Sequence, residues 1–327
     1  MEKILILPIL LSFFIALFAL PKWIKRAKKA GLVGKDMNKI PKEEIAEAGG
    51  VIVILSFVLG ILSYVAIKTF YFKTSENLVE IFALLSTILL VGFIAFTDDI
   101  LGWKIGLNKK IRIILMFFAA FPLMVINAGQ SNLMGINLGI LYPLIIIPIG
   151  IIGASTTYNF LAGYNGLEAS QGILILTGLA IATFLTDNSW LSLICLSMII
   201  CLIAFLFWNW YPARVFPGDV LTYPLGALIA TIAILGNLEK LAILFFIPYI
   251  IETILKTRGK LEKESFAKIN PNGSLEMPFE KIYGLEHLAI KILKKVKKNK
   301  KVYERDVVLS INLFQMIIVI LGIWILV

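Results

Sequence analysis

Long apolar runs separated by short polar stretches dominate the pattern of this chain. Isoleucine, leucine, valine and phenylalanine recur in runs of about 16 to 20 residues, the length at which a helix crosses a hydrocarbon layer of about 30 Å. The predicted spans are residues 4–21, 50–67, 78–97, 111–127, 138–154, 172–186, 189–208, 220–236, 240–255 and 307–327. The pattern therefore predicts an all-α integral membrane protein with about ten transmembrane helices.

The composition excludes an ordinary soluble domain. Of the 327 residues, 59% are apolar and 16% are charged, whereas soluble domains average roughly 45–50% and 25%. The two cysteines, Cys195 and Cys201, lie in the same apolar run, so neither a disulfide framework nor a zinc site is indicated. We interpret both as residues that pack within the membrane.

The positive charges predict the orientation of the chain. Of the 31 lysines and arginines, 27 follow odd-numbered spans, and loops rich in these residues stay in the cytoplasm. We therefore expect the odd-numbered loops to face the cytoplasm, both termini to lie outside and the protein to reside in the cell membrane. The net charge of +10 is explained by this topology, so a nucleic-acid partner is not expected.

The chain shows neither an internal repeat nor a low-complexity linker, so we interpret residues 1–327 as one transmembrane domain. Its longest polar stretch, 256–306, is a basic cytoplasmic loop. Asn272 and Gly273 predict a tight hairpin there. A short amphipathic helix is expected to follow on the membrane surface, and we expect the single histidine, His287, to be a surface residue of this helix. The predicted apolar face of the helix consists of Leu285, Leu288, Ala289, Ile292 and Val296.

Acidic and amide side chains collect after three odd-numbered spans. Asp98 and Asp99 follow span 3, Asn159 and Asn165 follow span 5, and Asp219 follows span 7. Such groups at a membrane boundary need hydration, a partner or a metal ion. The oxygen ligands and the absence of a His/Cys cluster favour Mg²⁺, which completes its shell with water and substrate phosphates.

Each of these features also has a simpler explanation. The adjacent carboxylates at positions 98 and 99 could be a solvated helix end, and Asp219 could cap the helix that follows it. In the first loop, Lys39 could neutralise a phosphate or anchor a basic loop. Gly49 and Gly50 could admit a ligand to the backbone or allow two helices to pack closely.

Five motifs in order carry a resemblance to a known family. They are KDMNK with EAGG (35–39 and 47–50), TDDILGW (97–103), NFLAGYNGLEASQG (159–172), NWYPARVFPGD (209–219) and NGSLEM (272–277). With them the chain resembles the polyprenyl-phosphate N-acetylhexosamine-1-phosphate transferases of the glycosyltransferase 4 type. The resemblance is strongest to the dolichyl-phosphate GlcNAc-1-phosphate transferase branch.

The resemblance implies a reaction and roles for particular residues. The family transfers a sugar 1-phosphate from a UDP-sugar, here UDP-GlcNAc, to a polyprenyl phosphate with Mg²⁺ and releases UMP, the first membrane step of lipid-linked glycan synthesis. By motif position, Asn159 and Asp219 would be the Mg²⁺ ligands, and Asp98 and Asp99 would be the catalytic pair. Lys39 would contact the lipid phosphate, and Asn165 and Phe216 would contact the uracil. Glu47, Gly49 and Gly50 would contact uridine through the backbone, and Trp103 with Lys109 or Lys110 would contact the sugar or the pyrophosphate.

The last loop departs from the family pattern. Relatives of the dolichol branch carry an Arg-His-Arg string there, and those of the peptidoglycan branch carry a histidine cluster. This chain has Arg258, Lys260 and Lys263, which could supply the positive charge for pyrophosphate.

Several alternatives stay open at this point. The donor could be another UDP-N-acetylhexosamine or UDP-MurNAc-pentapeptide. Dimerisation through lipid-facing helices is equally compatible with the sequence. In other functional classes, a transporter would use membrane-embedded charges as its pathway, and a structural scaffold would need no cation. Against a transporter, the polar groups collect on one face of the predicted membrane segment.

Overall fold

The computed structural model describes residues 3–101, 106–133 and 136–326, and most of them are helical. The α-helices are α1 (Ile6–Lys29), α2 (Gly50–Ala66), α3 (Leu78–Leu101), α4 (Lys109–Ala119), α5 (Phe121–Val125), α6 (Ile147–Phe160), α7 (Leu167–Leu185), α8 (Ser189–Asn209), α9 (Asp219–Leu235), α10 (Glu239–Phe245), α11 (Ile247–Arg258), α12 (Leu285–Val296) and α13 (Glu304–Leu326). Three antiparallel hairpins pair β1 (Val33–Lys35) with β2 (Glu44–Ala46), β3 (Asn132–Leu133) with β4 (Ile136–Asn137), and β5 (Lys268–Ile269) with β6 (Leu275–Glu276).

The helical architecture agrees with the predicted membrane protein. Within the described ranges, seven helical segments are long and apolar enough to cross a membrane: Ile6–Lys29, Gly50–Tyr71, Leu78–Leu101, Tyr142–Phe160, Leu167–Leu185, Ser189–Asn209 and Glu304–Leu326. Helix α9 is apolar but shorter, with 17 residues. The total of ten spans and the outside position of both termini stay predictions.

Two of the predicted spans are each divided into two helices. Residues 111–127 form α4 and α5, and residues 240–255 form α10 and most of α11. In both cases a proline, Pro122 or Pro248, lies in the first turn of the second helix. Proline has no backbone N–H to continue a preceding helix but fits the first turn of a new one. The hydrophobic pattern could not distinguish one continuous helix from two short ones.

Helix α9 is the centre of the fold. Every residue from Val220 to Ile234 is buried, and the helix packs against α2, α3, α6 and α7. The last residues of α3 and of α6 both form hydrogen bonds with the first turn of α9. Because these two helices end where α9 begins, the polar residues at their ends meet at one end of the central helix.

The last loop contains the hairpin β5–β6 and helix α12. Gly273 has a φ of +75° in the turn between the two strands, a conformation that suits glycine. Of the predicted apolar face of α12, Leu285 and Ala289 are buried, whereas Ile292 and Val296 are 51% and 72% exposed. The position of α12 on a membrane surface stays a prediction.

The expectation for His287 was wrong, because its side chain is completely buried. Its ring packs edge-on against Phe279, and its Nδ1 atom accepts a hydrogen bond from the amide of Tyr283 at 3.4 Å. Burial lowers the pKa of His287. The amphipathic pattern of the helix did not show that other parts of the last loop would cover this side chain.

Candidate active site

Asp99 binds the beginning of the central helix. Its two carboxylate oxygens accept hydrogen bonds from the backbone amides of Asp219 and Val220, at 2.8 and 3.0 Å. Gly218 precedes the helix with a φ of +70°, and a Cβ atom there would lie 2.5 Å from Asp99 Oδ2. The glycine of the FPGD motif is therefore needed for Asp99 to reach the positive end of α9.

A single arginine links the other two carboxylates. The guanidinium of Arg112, in the first turn of α4, forms an ion pair with Asp98 and lies 3.4 Å from Asp219 Oδ2. The same group donates a hydrogen bond of 2.6 Å to the hydroxyl oxygen of Tyr223, one turn along α9 from Asp219. Asp98 also accepts a hydrogen bond from the amide of Leu107. Asp98, Asp99 and Asp219 therefore surround one end of α9, and Asp98 and Asp219 share one cation.

Asn159 reaches the same place from the end of α6. Its Oδ1 atom accepts a hydrogen bond of 2.7 Å from the hydroxyl of Thr222, which in turn lies 3.4 Å from the backbone oxygen of Asp219. Asn159 and Asp219, the predicted metal ligands, are thus held at the same helical turn of α9.

The donor set at this turn fits a magnesium ion. In the part of the chain that the structure describes, no three His, Cys, Asp or Glu side chains form a group that could hold a metal. The cluster instead offers a few carboxylate and amide oxygens, which suits Mg²⁺ because this ion keeps several water or phosphate ligands. The position of Arg112 between Asp98 and Asp219 shows independently that the site stabilises positive charge.

The first loop pairs with the FPGD loop through its backbone. Phe216 donates its N–H to the Ala46 oxygen, and its own oxygen accepts from Gly49 at 2.9 Å. A Cβ atom at Gly50 would lie 2.5 Å from Leu221 Cβ. The two glycines therefore permit close packing of the α2 end against α8 and α9. The contacts of Gly49, Gly50 and the Phe216 ring with uridine stay predictions.

Glu47 lies in this loop with its backbone held on both sides. Its N–H donates to the Leu32 oxygen at 3.1 Å, and its oxygen accepts from the Trp23 indole at 2.9 Å. Burial raises the pKa of Glu47 to about 7, the Ala48 amide opposes this shift, and the negative charges of Asp219 and Glu168 add to it. Burial is therefore the main cause of the raised pKa of this carboxyl, and neighbouring negative charges are a smaller one.

Lys39 and Asn165 meet in a second polar cluster. Lys39 lies 2.8 Å from Asp36 Oδ2, and its ammonium lies over the Tyr211 ring. Asn165 donates from Nδ2 to the same Asp36 oxygen at 3.0 Å, and its backbone N–H donates to Glu304 at 2.7 Å. The structure therefore brings together two residues for which the sequence predicted separate contacts, with lipid phosphate and with uracil.

The remaining predicted site residues are either exposed on the surface or outside the described ranges. Trp103 is not among the residues that the structure describes. The other five basic candidates are exposed: Lys109, Lys110, Arg258, Lys260 and Lys263. Lys263 lies over the ring of Phe279 at 5.1 Å. Their contacts with sugar or pyrophosphate stay predictions.

Three residues of these clusters, Arg112, Asp36 and Glu304, had no role predicted from the sequence, although Asp36 lies in the KDMNK motif. Arg112 falls within the predicted span 111–127, where a charged residue should have indicated function. Because it follows Lys109 and Lys110, the pattern indicates only another positive charge of the preceding loop. Asp36 and Glu304 gave no such signal, because their contacts with Asn165 join parts of the chain that are 129 and 139 residues apart.

The structure defines a helical membrane protein with acidic and amide groups at the ends of its helices. Comparisons with known proteins agree with this class. Residues 81–237 match glycosyl transferase family 4. A Saccharolobus solfataricus protein with the provisional name UDP-N-acetylglucosamine–dolichyl-phosphate N-acetylglucosaminephosphotransferase is 38% identical over 88% of each chain. A Sulfolobus acidocaldarius protein with the same provisional name is 30% identical over 88% of each chain.

A eukaryotic relative extends this comparison. The Dictyostelium discoideum UDP-N-acetylglucosamine–dolichyl-phosphate N-acetylglucosaminephosphotransferase is 31% identical over 71% of this chain and 66% of its own. The matched family region contains Asp98, Asp99, Arg112, Asn159 and Asp219. The chain belongs to glycosyl transferase family 4.

Proposed function

We propose that this protein transfers GlcNAc-1-phosphate from UDP-GlcNAc to a dolichyl-type polyprenyl phosphate and releases UMP. The observation that carries the proposal is the meeting of Asp98, Asp99, Asn159 and Asp219 at one end of α9. This arrangement occurs in a chain 38% identical to a relative whose provisional name describes this reaction. The site faces the cytoplasm of a cell membrane in this proposal, because the positive loops predict that side.

The reaction joins two anionic substrates. An oxygen of the lipid phosphate attacks the β-phosphorus of the donor, a new P–O bond forms, and the bond from the β-phosphorus to the bridging oxygen breaks to release UMP. Several negative charges accumulate during this step, so the protein mainly positions groups and neutralises charge. Arg112 serves this role at the acidic cluster, and Lys39 holds the lipid phosphate.

The two adjacent aspartates have different tasks in this mechanism. Both oxygens of Asp99 are bound to backbone amides of α9, so Asp99 acts as a positioning residue that holds Asp219. Asp98 is paired with the side chain of Arg112, which can turn toward a phosphate when substrates bind. Asp98 is then the carboxylate free to orient the lipid phosphate or accept its proton. Because a phosphate monoester has a second pKa near 6, little basicity is required.

Asn159 and Asp219 would hold the magnesium ion. When bound, Mg²⁺ supplies a Lewis acid and a template for the donor pyrophosphate. Arg112 lies 3.4 Å from Asp219 and balances its charge when substrates are absent. Asn165 and Phe216 contact the uracil, and the exposed Arg258, Lys260 and Lys263 attract the pyrophosphate by their charge.

Purified protein in lipid nanodiscs with dolichyl phosphate tests the reaction. We expect UMP release only when both UDP-GlcNAc and the lipid are present, and mass spectrometry should find a lipid product heavier by one GlcNAc-1-phosphate. An equimolar mixture with UDP-GalNAc and UDP-MurNAc-pentapeptide identifies the preferred donor. Transport of UDP-GlcNAc into proteoliposomes without UMP release would overturn the proposal in favour of a transporter.

A further inference from the structure

The ion pair of Asp36 and Lys39 restricts what the neighbouring Asn165 can do. Asp36 is 3% exposed, and Lys39 lies 2.8 Å from its Oδ2 atom. The other carboxylate oxygen, Oδ1, accepts a hydrogen bond from the Asn38 amide at 3.2 Å. A carboxyl group whose oxygens face an ammonium group and a backbone N–H serves as the hydrogen-bond acceptor toward both.

Asn165 must therefore present its amide nitrogen to Asp36. The distance from Asn165 Nδ2 to Asp36 Oδ2 is 3.0 Å. Rotating the carboxamide by 180° would place its oxygen against the carboxylate, and two acceptors would then face each other without a proton. Glu304 fixes the backbone of the same residue by accepting its N–H at 2.7 Å. Both the main chain and the side chain of Asn165 are thus held in one orientation.

The side-chain oxygen of Asn165 is left available. Within the described residues, the Oδ1 atom of Asn165 accepts no hydrogen bond. It is also not among the buried polar atoms that lack a partner, so the surrounding protein does not enclose it fully. The residue itself is only 4% exposed. A ligand that reaches Asn165 therefore meets an acceptor whose direction is set in advance.

We propose that Asp36 is a positioning residue that makes this site select uracil over cytosine, an inference that rests on the proposed contact of Asn165 with the base. Uracil carries a hydrogen on N3 and can donate it to the fixed oxygen of Asn165. Cytosine has a lone pair on N3, so the same oxygen would face a second acceptor. A site built around one hydrogen-bond direction discriminates strongly, because the wrong ligand leaves buried polar groups unpaired.

The variant Asp36→Asn tests this role. An amide at position 36 can donate as well as accept, so the Asn165 carboxamide is free to turn either way. We expect the ratio of the Kd for CDP to the Kd for UDP, measured by calorimetry with Mg²⁺, to fall by about tenfold or more. A ratio equal to that of the unaltered protein, with both affinities weakened alike, would overturn the proposal.

The double variant Asp36→Asn/Asn165→Asp provides the sharper test. It keeps the net charge and the hydrogen bond between the two positions but reverses the donor and the acceptor. The carboxylate at position 165 then offers an acceptor to the base in either orientation, so the preference for UDP should return. A double variant as unselective as the single variant contradicts the proposal, and the double variant alone decides the matter if the single variant does not fold.

Glu44→Gln is the matched control. It removes a carboxylate from an exposed residue of the same loop and leaves the contact between Asp36 and Asn165 unchanged, so the CDP-to-UDP ratio should be preserved. Failure of the proposed function would appear differently, as an unaltered protein that neither prefers UDP over CDP nor releases UMP. A selective parent protein with an equally selective Asp36→Asn variant would overturn only the role of Asp36.

Discussion

The carboxylate of Asp99 lies across the first turn of helix α9, 2.8 Å from the amide nitrogen of Asp219. Its second oxygen binds the amide of Val220 at 3.0 Å. A side chain at the end of α3 thus caps a helix that begins 120 residues later in the chain. The amides at a helix N-terminus have no partner within their own helix, and a carboxylate there also interacts favourably with the helix dipole.

Replacing Asp99 by alanine should therefore reduce both stability and activity. Loss of a helix cap costs about 1–2 kcal/mol, and the freed N-terminus of α9 should also misplace Asp219. We expect a lower melting temperature in detergent, measured by intrinsic fluorescence, together with loss of UMP release. Asn188→Ala is the matched control, because Asn188 precedes α8 without forming a side-chain cap. A variant Asp99→Ala with unchanged melting temperature would contradict the capping role.

How far the site could be predicted depends on the type of contact. Asp98, Asn159 and Asp219 stood out because polar residues are rare in such an apolar chain, and the motif order connected them. The role of Arg112 could not be predicted, because this residue lies where a basic loop ends and an apolar run begins. The partners of Asn165 could not be found at all, because one sequence carries no signal for contacts between Asp36 and a residue 129 positions away.

Some features of the fold could likewise be predicted from the sequence and others could not. The length and apolar character of the helices followed from the hydrophobic pattern, because these properties depend on local sequence. The divided spans did not follow from it, although Pro122 and Pro248 mark both places. The burial of His287 depended on which parts of the last loop fold over α12, and hydrophobic periodicity does not contain that information.

Arg112 should be more important for the reaction than its neighbours on α4. Its guanidinium contacts Asp98, Asp219 and Tyr223 at once, and a lysine ammonium cannot reproduce this planar arrangement. We expect Arg112→Lys to lower kcat by about 100-fold, comparable to the loss of one charge-stabilising group in other active sites. The measurement is the rate of UMP release at saturating UDP-GlcNAc and lipid.

A conservative change of an arginine outside the site provides the control for Arg112. Arg26→Lys alters an exposed residue in the last turn of α1 and should retain the parental rate. If Arg112→Lys kept full activity while Lys109→Ala lost it, the predicted lysine would be the functional cation and Arg112 would have a structural role only.

Asp219→Asn should remove transfer without unfolding the protein. The contact that begins α9 uses the backbone amide of Asp219 and leaves its side chain free of the cap. We expect the melting temperature to change little and the rate to fall more than about 1000-fold, because the variant loses a charged metal ligand. EDTA should likewise abolish UMP release by the parent protein, and added Mg²⁺ should restore it.

The control for Asp219 is an aspartate remote from the cluster. Asp187→Asn lies in an exposed turn with a φ of +58°, which asparagine tolerates as well as aspartate. It should keep both the rate and the Mg²⁺ dependence of the parent. If Asp219→Asn retained most of its activity, the assignment of Asp219 as a metal ligand would be wrong.

Glu47 should make the stability of the protein depend on pH. Burial raises its pKa from 4.5 to about 7, so between these values the folded protein holds a proton that the unfolded chain has lost. Stability then decreases as the pH rises from about 4.5 to 7, and above 7 the buried charge is a constant cost. Glu47→Gln removes this titration, so its advantage in melting temperature over the parent should grow across that window and level off above it.

Glu44→Gln, an exposed change in the same loop, controls for the loss of a carboxyl group. Parallel curves of melting temperature against pH for Glu47→Gln and the parent would show that Glu47 does not titrate with a raised pKa.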